Sequence, residues 1–376
     1  MINDYYEKEK NTICFGTRPE AIKLAPLFLA LKKDTKNFTV KVCATSQHRE
    51  MQDQILQLFS IKPDYDLNIM IPNQTLFYLT SELIKRIEPI LDDFTPDLLV
   101  VQGDTTTVFA ASLAGFYKKI AVAHVEAGLR SGDMLSPFPE EANRVLASKL
   151  VTYHFCPTTR AVDNLKKEGI TTHVYHVQNT VIDALFWVLQ RVENEGAKFA
   201  KKLGVDVSRR NVLITAHRRE SFGKPFEHIC AAVKTLAVAF PDTDFVYPVH
   251  PNPNVRNTVY AMLQHLPNVK LIEPLDYPEM VWMMNQSTIV LTDSGGVQEE
   301  APSLGKPVLV LRDVTERQEG IDAGNAILVG TNTKKIIEAA TLLLTDKAAY
   351  AKMGHATNPY GDGKASERIA AILKNL

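Results

Sequence analysis

Short, almost entirely apolar runs alternate with longer helical patterns along most of the 376 residues of this chain. Runs such as Leu98–Gln102 and Ile289–Thr292 lack the polar alternation of a half-exposed strand, as expected when helices cover both faces of a parallel sheet. The alternation predicts an α/β fold with doubly wound parallel sheets. The predicted strands are Thr12–Phe15, Phe38–Ala44, Leu98–Gln102, Ile120–His124, Leu150–Phe155, Asn211–Thr215, Phe245–Pro248, Val269–Ile272, Ile289–Thr292, Pro307–Leu311 and Ala326–Val329.

The pattern divides into two comparable halves, which suits a chain of this length at about 150 residues per domain. We predict an N-terminal Rossmann-like domain at 1–178 and a second one at 179–358. The segment 359–376 begins with a Pro- and Gly-rich breaker and ends in a helical pattern. We expect this terminal helix to complete the first domain.

Charge and composition exclude two classes of protein. The chain has 42 Lys and Arg against 43 Asp and Glu, a net charge of −1, so it lacks the bulk positive charge of a general nucleic-acid binder. No stretch approaches the ~20 apolar residues of a membrane-spanning helix, and the polar N-terminus is not a secretory signal. Four dispersed cysteines suit a reducing compartment. We therefore expect a cytoplasmic protein without nucleic-acid or membrane partners.

Ionisable or glycine-rich clusters follow six of the predicted strands. In open parallel sheets, ligands bind beyond the carboxyl ends of the strands, so these clusters predict a large binding cleft between the two domains. The clusters are Gly16–Glu20, Gly103–Asp104, Glu126–Arg130, His217–Glu220, His250–Pro253 and Asp293–Gly296.

The cleft is not built for a dinucleotide or a metal. The first strand–helix turn reads GTRPEA instead of GxGxxG, and the second strand ends without an acidic residue for a ribose. A GxxxxGK[ST] phosphate loop is also missing from the sequence. His173 and His176 are three apart in the strand-like segment HVYHV and so face opposite sides. We expect no cofactor and no metal ion.

A phosphate site is predicted where Ser294, Gly295 and Gly296 open a helix. Ser294 can cap this helix, and its free amides and dipole attract an anion. Glu300, about one turn further on, could accept hydrogen bonds from ribose hydroxyls. A plain helix cap is the structural alternative. Cations elsewhere favour a nucleoside diphosphate, namely Arg18, Lys23, His217 and Arg317.

A second group of candidates is acidic. Asp104 and Glu126 each follow an apolar strand, and Glu140 shares a helix face with Arg144 at i,i+4. The structural alternatives are a helix cap for Asp104 and a surface ion pair for Glu140 and Arg144. Glu141 is predicted to point away. Carboxylates that converge in a cleft can have raised pKa values and serve as general acid and base.

An ordered set of motifs from about Thr12 to the C-terminus resembles the bacterial non-hydrolysing UDP-N-acetylglucosamine 2-epimerases. The resemblance implies a GT-B-like pair of Rossmann-type domains with the active site between them, reversible interconversion of UDP-GlcNAc and UDP-ManNAc for surface polysaccharide, no cofactor and a homodimer. The motifs are FGTRPEAIKLAPL, SQHREM, GDTTT, HVEAGLRSGD, SPFPEEANR, NTVIDAL, HRRESFG, PVHPNPNVR, LTDSGGVQEEAPSLGKPVLVLRD and TERQE.

The resemblance also implies roles for the matching residues. Asp104, Glu126 and Glu140 become catalytic carboxylates supported by Arg144, and His217 becomes the catalytic or leaving-group histidine. We expect Asp104 or Glu140 to transfer the proton and Glu126 to act as base or to orient the sugar. The implied nucleotide ligands are Arg18, Lys23, Ser294, Gly295, Gly296, Glu300 and Arg317.

Some members of the family bind a second UDP-GlcNAc as an activator. The matching region here is Gln47, His48, Glu50, Arg218 and His250. Activation by substrate is a hypothesis for this chain.

Three alternative functions remain at this point: a hydrolysing epimerase that releases UDP and ManNAc, a GT-B glycosyltransferase, and a non-catalytic nucleotide-sugar sensor.

The sequence departs from the family pattern at two positions. Ala216 and Gln178 stand where glycine is usual, and both positions affect the shapes of loops.

Overall fold

The computed structural model describes residues 8–45 and 49–376, with the backbone alone given at 49–52. The chain forms two compact units. The first comprises Met1–Ala184 and Gly361–Leu376, and the second comprises Leu185–Tyr360. The division falls within a helix that starts at Thr180.

Each unit contains one parallel sheet. Strands β1 to β7 form a seven-stranded sheet in the order β3-β2-β1-β4-β5-β6-β7, and β8 to β13 form a six-stranded sheet in the order β10-β9-β8-β11-β12-β13. The strands are β1 (Glu9–Phe15), β2 (Phe38–Ala44), β3 (Tyr65–Asp66), β4 (Leu98–Gln102), β5 (Ala121–Val125), β6 (Tyr153–Cys156), β7 (Val174–His176), β8 (Arg210–Thr215), β9 (Thr243–Pro248), β10 (Val269–Ile272), β11 (Ile289–Thr292), β12 (Val308–Val310) and β13 (Ala326–Leu328).

Helices connect the strands of both units. They are α1 (Arg18–Lys33), α2 (Arg49–Leu58), α3 (Leu76–Phe94), α4 (Thr106–Lys118), α5 (Glu140–Leu150), α6 (Thr159–Lys167), α7 (Thr180–Val192), α8 (Gly196–Leu203), α9 (Lys224–Ala239), α10 (Pro253–Leu263), α11 (Tyr277–Gln286), α12 (Gly295–Glu300), α13 (Gln318–Asp322), α14 (Thr333–Thr345), α15 (Lys347–Gly354) and α16 (Ala365–Leu373).

Both sheets have the strand order of a Rossmann fold, which confirms the predicted class of two Rossmann-like, doubly wound parallel-sheet domains. Strand β4 is at most 2% exposed at every residue, as its apolar run predicted for a strand covered on both faces. The strand order reverses between β1 and β4 in the first unit and between β8 and β11 in the second. Ligands bind at such switch points, so we expect binding sites at the loops that follow these four strands.

The terminal helix α16 lies in the first unit and packs against α1. The Asp183 carboxylate of α7 accepts hydrogen bonds from the backbone N–H groups of Ala365 and Ser366, at 3.1 and 2.7 Å. These bonds satisfy amide groups at the start of α16 that have no partner within the helix.

Two local predictions were wrong. The seven-stranded sheet has a short strand, β3, that was not predicted, because its two residues are too few to show a pattern. The predicted strand Leu150–Phe155 begins too early: Leu150 is the last residue of α5, the N–H of Val151 still bonds to the Ala147 carbonyl, and β6 begins at Tyr153.

Among the described residues, no helix combines the length and apolar character needed to cross a bilayer.

Candidate functional site

Glu126 is a buried carboxylate held from three sides. It directly follows β5 in the left-handed conformation, with φ of +67°, and is 8% exposed. Its Oε1 lies 2.6 Å from the Lys23 Nζ of α1 and 3.3 Å from the Asn179 Nδ2, and its Oε2 accepts a hydrogen bond from the Gln102 Nε2 at the end of β4. Donors from three separate elements stabilise the charged form and fix its position.

Asp104 follows the neighbouring strand, β4, and is held by an arginine. Its Oδ2 accepts from the Arg144 Nη2 at 2.7 Å and from Nε at 3.0 Å, and its side chain remains 31% exposed. The Asn143 amide also donates to the Asp104 carbonyl. Capping of α4 by Asp104 is wrong as an alternative, because Thr105 occupies the N-cap position.

The two glutamates at the start of α5 have different environments. Glu141 was predicted to point away, and that prediction is wrong: it is 1% exposed, and its carboxylate accepts from Arg144 at 2.9 Å and from the N–H groups of Ser131 and Gly132. Because Glu141 and Asp104 hold the guanidinium of Arg144, the surface ion pair of Glu140 with Arg144 is wrong as well. Glu140 is half-buried, and its carboxylate has no ion pair or hydrogen bond within the described part of the chain.

A further buried carboxylate, that of Glu20, connects α1 to the loop after β4. Its Oε2 accepts from the N–H groups of Gly16 and Thr17, and its Oε1 accepts from the Thr105 hydroxyl at 2.6 Å. Burial raises the pKa of Glu20, while these hydrogen bonds oppose the rise. This network fixes the two loops at the switch point of the first sheet relative to each other.

The histidine side chain of β5 supports the same loop. His124 is 1% exposed, and its Nε2 lies 2.7 Å from the carbonyl of Gly103. Burial lowers the pKa of His124 to about 4, so it is neutral near pH 7. A neutral ring that donates from Nε2 holds the carbonyl directly before Asp104.

Of the two cations predicted for a pyrophosphate in the first unit, Lys23 lies in the acidic group beside Glu126. Arg18 is the first residue of α1 and is half-buried. Within the described residues its guanidinium forms no ion pair. Their roles as nucleotide ligands remain predictions. We call Asp104, Glu126, Glu140, Lys23 and Arg144 the acidic cluster.

The second unit places the predicted phosphate loop directly after β11. Ser294 is the N-cap residue of α12, but its hydroxyl makes no capping bond, so the prediction of a side-chain cap is wrong. The extended Ser294 backbone instead donates its N–H to the Thr292 hydroxyl. Within the described residues no side chain caps α12, which leaves its first amides available to an anion.

Gly295 and Arg317 are close neighbours. A Cβ at Gly295 would lie 3.3 Å from the Arg317 Cζ, so glycine allows this approach. The Arg317 Nε donates to buried Glu299 at 2.8 Å, and the side chain is 18% exposed. The guanidinium is therefore held beside the glycine turn, where it can face an anionic ligand.

Glu300 is 6% exposed and accepts a hydrogen bond of 2.6 Å from the Tyr277 hydroxyl. Burial, together with the nearby Glu300 charge, raises the pKa of Tyr277 well above its ordinary value, so its hydroxyl remains a donor. The carboxylate is thereby fixed at the last residue of α12, and its role as a ribose acceptor stays a prediction.

His217 follows β8 and lies against Asp293. The fully buried Asp293 carboxylate accepts from the N–H groups of His217 and Arg218 at 2.6 and 2.7 Å, and its Oδ1 lies 3.5 Å from the His217 Nδ1. The His217 ring stacks parallel to that of His250, with centroids 5.2 Å apart. Burial and the neighbouring His217 lower the pKa of His250. We call His217, Asp293, Gly295, Gly296, Glu300 and Arg317, with Ser294, the glycine–histidine cluster.

The predicted activator residues are only partly described. Gln47 and His48 lie outside the described residues, and only the backbone of Glu50 is given, in α2. Arg218 and His250 lie beside His217 in the second unit. Their role as an effector site remains a prediction.

Sequence reasoning missed the residues that hold the predicted ones: Gln102, Asn179, Glu20, Glu141, Asp293 and Glu299. Asp293 carried a signal, because it opens the DSGG motif at a strand end. Glu20 also lies in one of the strand-end clusters, and Glu141 was predicted to point away. Gln102, Asn179 and Glu299 looked like ordinary polar residues. Among the described residues, no three His, Cys, Asp or Glu side chains are arranged to hold a metal ion.

Comparison with known proteins agrees with these motifs. The family described as UDP-N-acetylglucosamine 2-epimerase matches residues 30–374. The UDP-N-acetylglucosamine 2-epimerase of Yersinia pestis is 54% identical over 366 residues, which cover 96% of this chain and 97% of the relative.

Two solved structures with bound ligands are also similar. The UDP-GlcNAc 2-epimerase of Neisseria meningitidis bound to UDP-GlcNAc has a TM-score of 0.91 at 49% identity, covering 98% of this chain and 100% of that one. The enzyme of Methanocaldococcus jannaschii in complex with UDP-GlcNAc and UDP has a TM-score of 0.82 at 36% identity, over 98% of this chain and 100% of that one. The family match and the identity over nearly the full length of both chains show that this chain belongs to the UDP-N-acetylglucosamine 2-epimerase family.

Proposed function

We propose that the chain is a non-hydrolysing UDP-GlcNAc 2-epimerase, which interconverts UDP-GlcNAc and UDP-ManNAc. The observation that carries the proposal is the pair of carboxylates at neighbouring strand ends, Asp104 and Glu126, each fixed by a cation. The similar enzymes of Neisseria meningitidis and Methanocaldococcus jannaschii, both described with bound UDP-GlcNAc, support the choice of substrate.

The chemistry explains why carboxylates are needed. The hydrogen at carbon 2 is not next to a carbonyl, so enolisation cannot invert that centre. We propose that a carboxylate removes this proton while the bond from carbon 1 to the UDP oxygen breaks, which gives a glycal and free UDP in the site. UDP then adds back to carbon 1, and a carboxylic acid returns a proton to the opposite face of carbon 2. Atoms and charge balance over the cycle, and no oxidant takes part.

The acidic cluster supplies the proton transfers in this scheme. Asp104 or Glu140 transfers the proton, and Glu126 acts as a base or orients the sugar. Glu140 suits transfer because no cation neutralises it among the described residues, whereas Glu126 is held by Lys23, Gln102 and Asn179. Arg144 positions Asp104.

The glycine–histidine cluster binds UDP in this proposal. The amides of Gly295 and Gly296 and the Arg317 guanidinium attract the diphosphate, and Glu300 accepts from the ribose hydroxyls. His217 stabilises the departing diphosphate. Arg18 is a further proposed ligand of the diphosphate. The proposal also includes a homodimer, a cytoplasmic location and a supply of UDP-ManNAc to surface polysaccharide.

Proton NMR of UDP-GlcNAc incubated with the enzyme in deuterated water tests the reaction. We expect deuterium at carbon 2 in both epimers and no accumulation of free UDP. Steady release of free UDP and ManNAc would show a hydrolysing enzyme instead, and absence of exchange would refute epimerisation.

The variant Asp104→Asn tests the proposed carboxylate. We expect turnover to fall by at least ~100-fold, the low end for loss of a general acid or base, with UDP binding retained. Asp97→Asn is a matched control, because Asp97 directly precedes the same strand at its opposite end, where its carboxylate accepts a hydrogen bond from the Lys10 N–H. A sensor without catalysis would show no turnover in the wild-type protein.

A further inference from the structure

Asp293 is a fully buried carboxylate to which the proposed reaction assigns no task. It directly follows β11, and its own N–H bonds to the Thr215 carbonyl at the end of β8, at 3.0 Å. The side chain reaches the loop after β8, 76 residues away in sequence, where Oδ2 accepts the two backbone N–H groups of His217 and Arg218. Both the backbone and one oxygen of Asp293 are thereby fixed.

The other carboxylate oxygen faces the imidazole of His217. Oδ1 has no hydrogen-bond partner among the described residues, and it lies 3.5 Å from the Nδ1 of that ring. A buried carboxylate oxygen can only accept, and its desolvation is costly unless a donor faces it. The only form of a neutral imidazole that presents a donor here has its proton on Nδ1.

We propose that Asp293 is a positioning residue that keeps the proton of neutral His217 on Nδ1 and leaves Nε2 free toward the ligand. The inference rests on the proposed function, in which His217 acts on the departing diphosphate. The ring is 42% exposed in its side chain, so Nε2 can be reached. When Nε2 takes up a proton from solvent, the imidazolium faces the Asp293 carboxylate on one side and can donate a charge-assisted bond to phosphate on the other.

Two further features fix the ring and its loop. The His250 ring stacks on His217 with an interplanar angle of 5°, and the hydroxyl of buried Tyr247 donates to the Ala216 carbonyl at 2.7 Å. Asp293 and His250 are the titratable groups that the structure places against the imidazole. Of these two, Asp293 is the one that faces a ring nitrogen as an acceptor.

For the variant Asp293→Asn we expect the opposite tautomer of His217. The two backbone N–H groups need an acceptor, so the amide oxygen takes the place of Oδ2 and the NH2 group faces the imidazole. A donor at that position requires an unprotonated Nδ1, which moves the proton of neutral His217 to Nε2. The side-chain volume hardly changes, yet the tautomer reverses.

The experiment is nitrogen-15 NMR of the histidine rings in the full chain at about pH 8.5, well above the ordinary histidine pKa of about 6.5. His217→Gln identifies the His217 signals by their loss. We expect wild-type Nδ1 to have the chemical shift of a protonated ring nitrogen and Nε2 that of an unprotonated one, with the two shifts exchanged in Asp293→Asn. Asp244→Asn is the control, because Asp244 is a buried aspartate of the same unit that pairs with Arg209 instead, and it should leave the His217 signals unchanged.

Turnover provides the second readout. We expect Asp293→Asn to lower kcat by at least ~10-fold, as a wrong tautomer does in other histidine-dependent enzymes. A wild-type His217 protonated on Nε2 overturns the inference, and this result needs no variant to fold. A reversed tautomer with unchanged kcat overturns the positioning role in the reaction. Failure of deuterium exchange in the wild-type enzyme refutes the proposed function and leaves the tautomer result standing.

Discussion

The acidic cluster and the glycine–histidine cluster hold charges of opposite sign by opposite means. In the first unit, Lys23 and Arg144 hold the carboxylates of Glu126 and Asp104. In the second unit, the buried carboxylates of Glu299 and Asp293 hold the Arg317 guanidinium and the His217 ring. In three of these four pairs, Arg144–Asp104, Arg317–Glu299 and His217–Asp293, the counter-charge is the more buried member. In the pair of Lys23 with Glu126, the carboxylate is the more buried member.

This difference predicts which property each unit loses when a residue is substituted. Arg144 is 9% exposed in its side chain and is held by both Asp104 and Glu141. His217 is 42% exposed in its side chain and has one carboxylate beside it. We therefore expect substitutions at the ion-paired members of the acidic cluster to affect stability as well as catalysis. Substitutions in the glycine–histidine cluster should affect mainly ligand binding and turnover.

The largest expected effect is a difference in the acid stability of the two units. His124 and His154 are buried neighbours in the first sheet, and burial lowers the pKa of each to about 4. Between pH 6.5 and pH 4 the unfolded chain binds protons at these rings and the native state does not. The free energy of unfolding of the first unit should therefore fall by up to about 3 kcal/mol per histidine as the pH drops through this window, and these groups add no pH dependence above it.

Urea unfolding measured between about pH 7 and about pH 4.5 checks this expectation. The control is the double variant His124→Gln and His154→Gln, in which glutamine at 124 can still donate to the Gly103 carbonyl. The variant should lose most of the pH dependence of the first unit. An unchanged slope would show that other groups control acid stability.

The next effect concerns Glu126. We expect Glu126→Gln to lower kcat by at least ~100-fold, or about 3 kcal/mol in the barrier, because an amide can neither take up the proton nor form an ion pair with Lys23. Steady-state rates with UDP-GlcNAc measure the change. Glu82→Gln is the control, because Glu82 forms an exposed pair with Arg86 on α3. Retention of more than a tenth of the wild-type kcat would remove Glu126 from proton transfer and leave it an orienting residue.

Glu140 and Glu141 give a smaller but sharper contrast. Glu141→Gln should lower the free energy of unfolding by about 2 kcal/mol, because buried Arg144 loses a carboxylate that pairs with its guanidinium. Glu140→Gln should change it by less than about 0.5 kcal/mol and lower kcat instead. Denaturation and turnover of the two variants, measured together, separate structure from chemistry. The opposite pattern would exchange the roles assigned to these neighbours.

The smallest effect is expected at Arg317. Arg317→Lys keeps the charge but loses the planar guanidinium that pairs with Glu299 and, in the proposed site, also with phosphate. The Kd for UDP should therefore rise about 10-fold, or about 1.4 kcal/mol. Calorimetric titration with UDP measures this Kd. Arg209→Lys changes the same residue type in another ion pair of this unit, whose carboxylate Asp244 is buried, and it should leave the Kd unchanged. An unaltered Kd in Arg317→Lys would place the diphosphate elsewhere.

Much of the candidate site could be predicted from the sequence. Apolar strands followed by helices give parallel order, and the residues after each strand then lie at one edge of the sheet. That argument placed Asp104 after β4 and Glu126 after β5, and it placed His217 and the glycines after β8 and β11. The motifs supplied the chemistry, and the order of the strands supplied the location.

The sequence failed where side-chain direction matters. Glu140 and Glu141 are adjacent residues at the start of α5. The i,i+4 spacing in the sequence predicts that Glu140 pairs with Arg144. The structure pairs Arg144 with Glu141 at i,i+3, because the loop at Ser131 and Gly132 offers amide donors to that carboxylate. Helical spacing allows both pairings, and only the neighbouring loop decides between them.

The sequence by itself determined the two parallel sheets, their strand-end motifs and the family, because each is expressed in local patterns of apolar and polar residues. The tertiary structure alone decided which groups hold the side chains that we propose as catalytic. The Gln102 and Asn179 amides meet at Glu126, and the Asp293 carboxylate meets the His217 loop 76 residues away. Such pairs depend on how strands stack in the sheet and on the need of every buried polar group for a partner, and neither is visible in the spacing of residues along the chain.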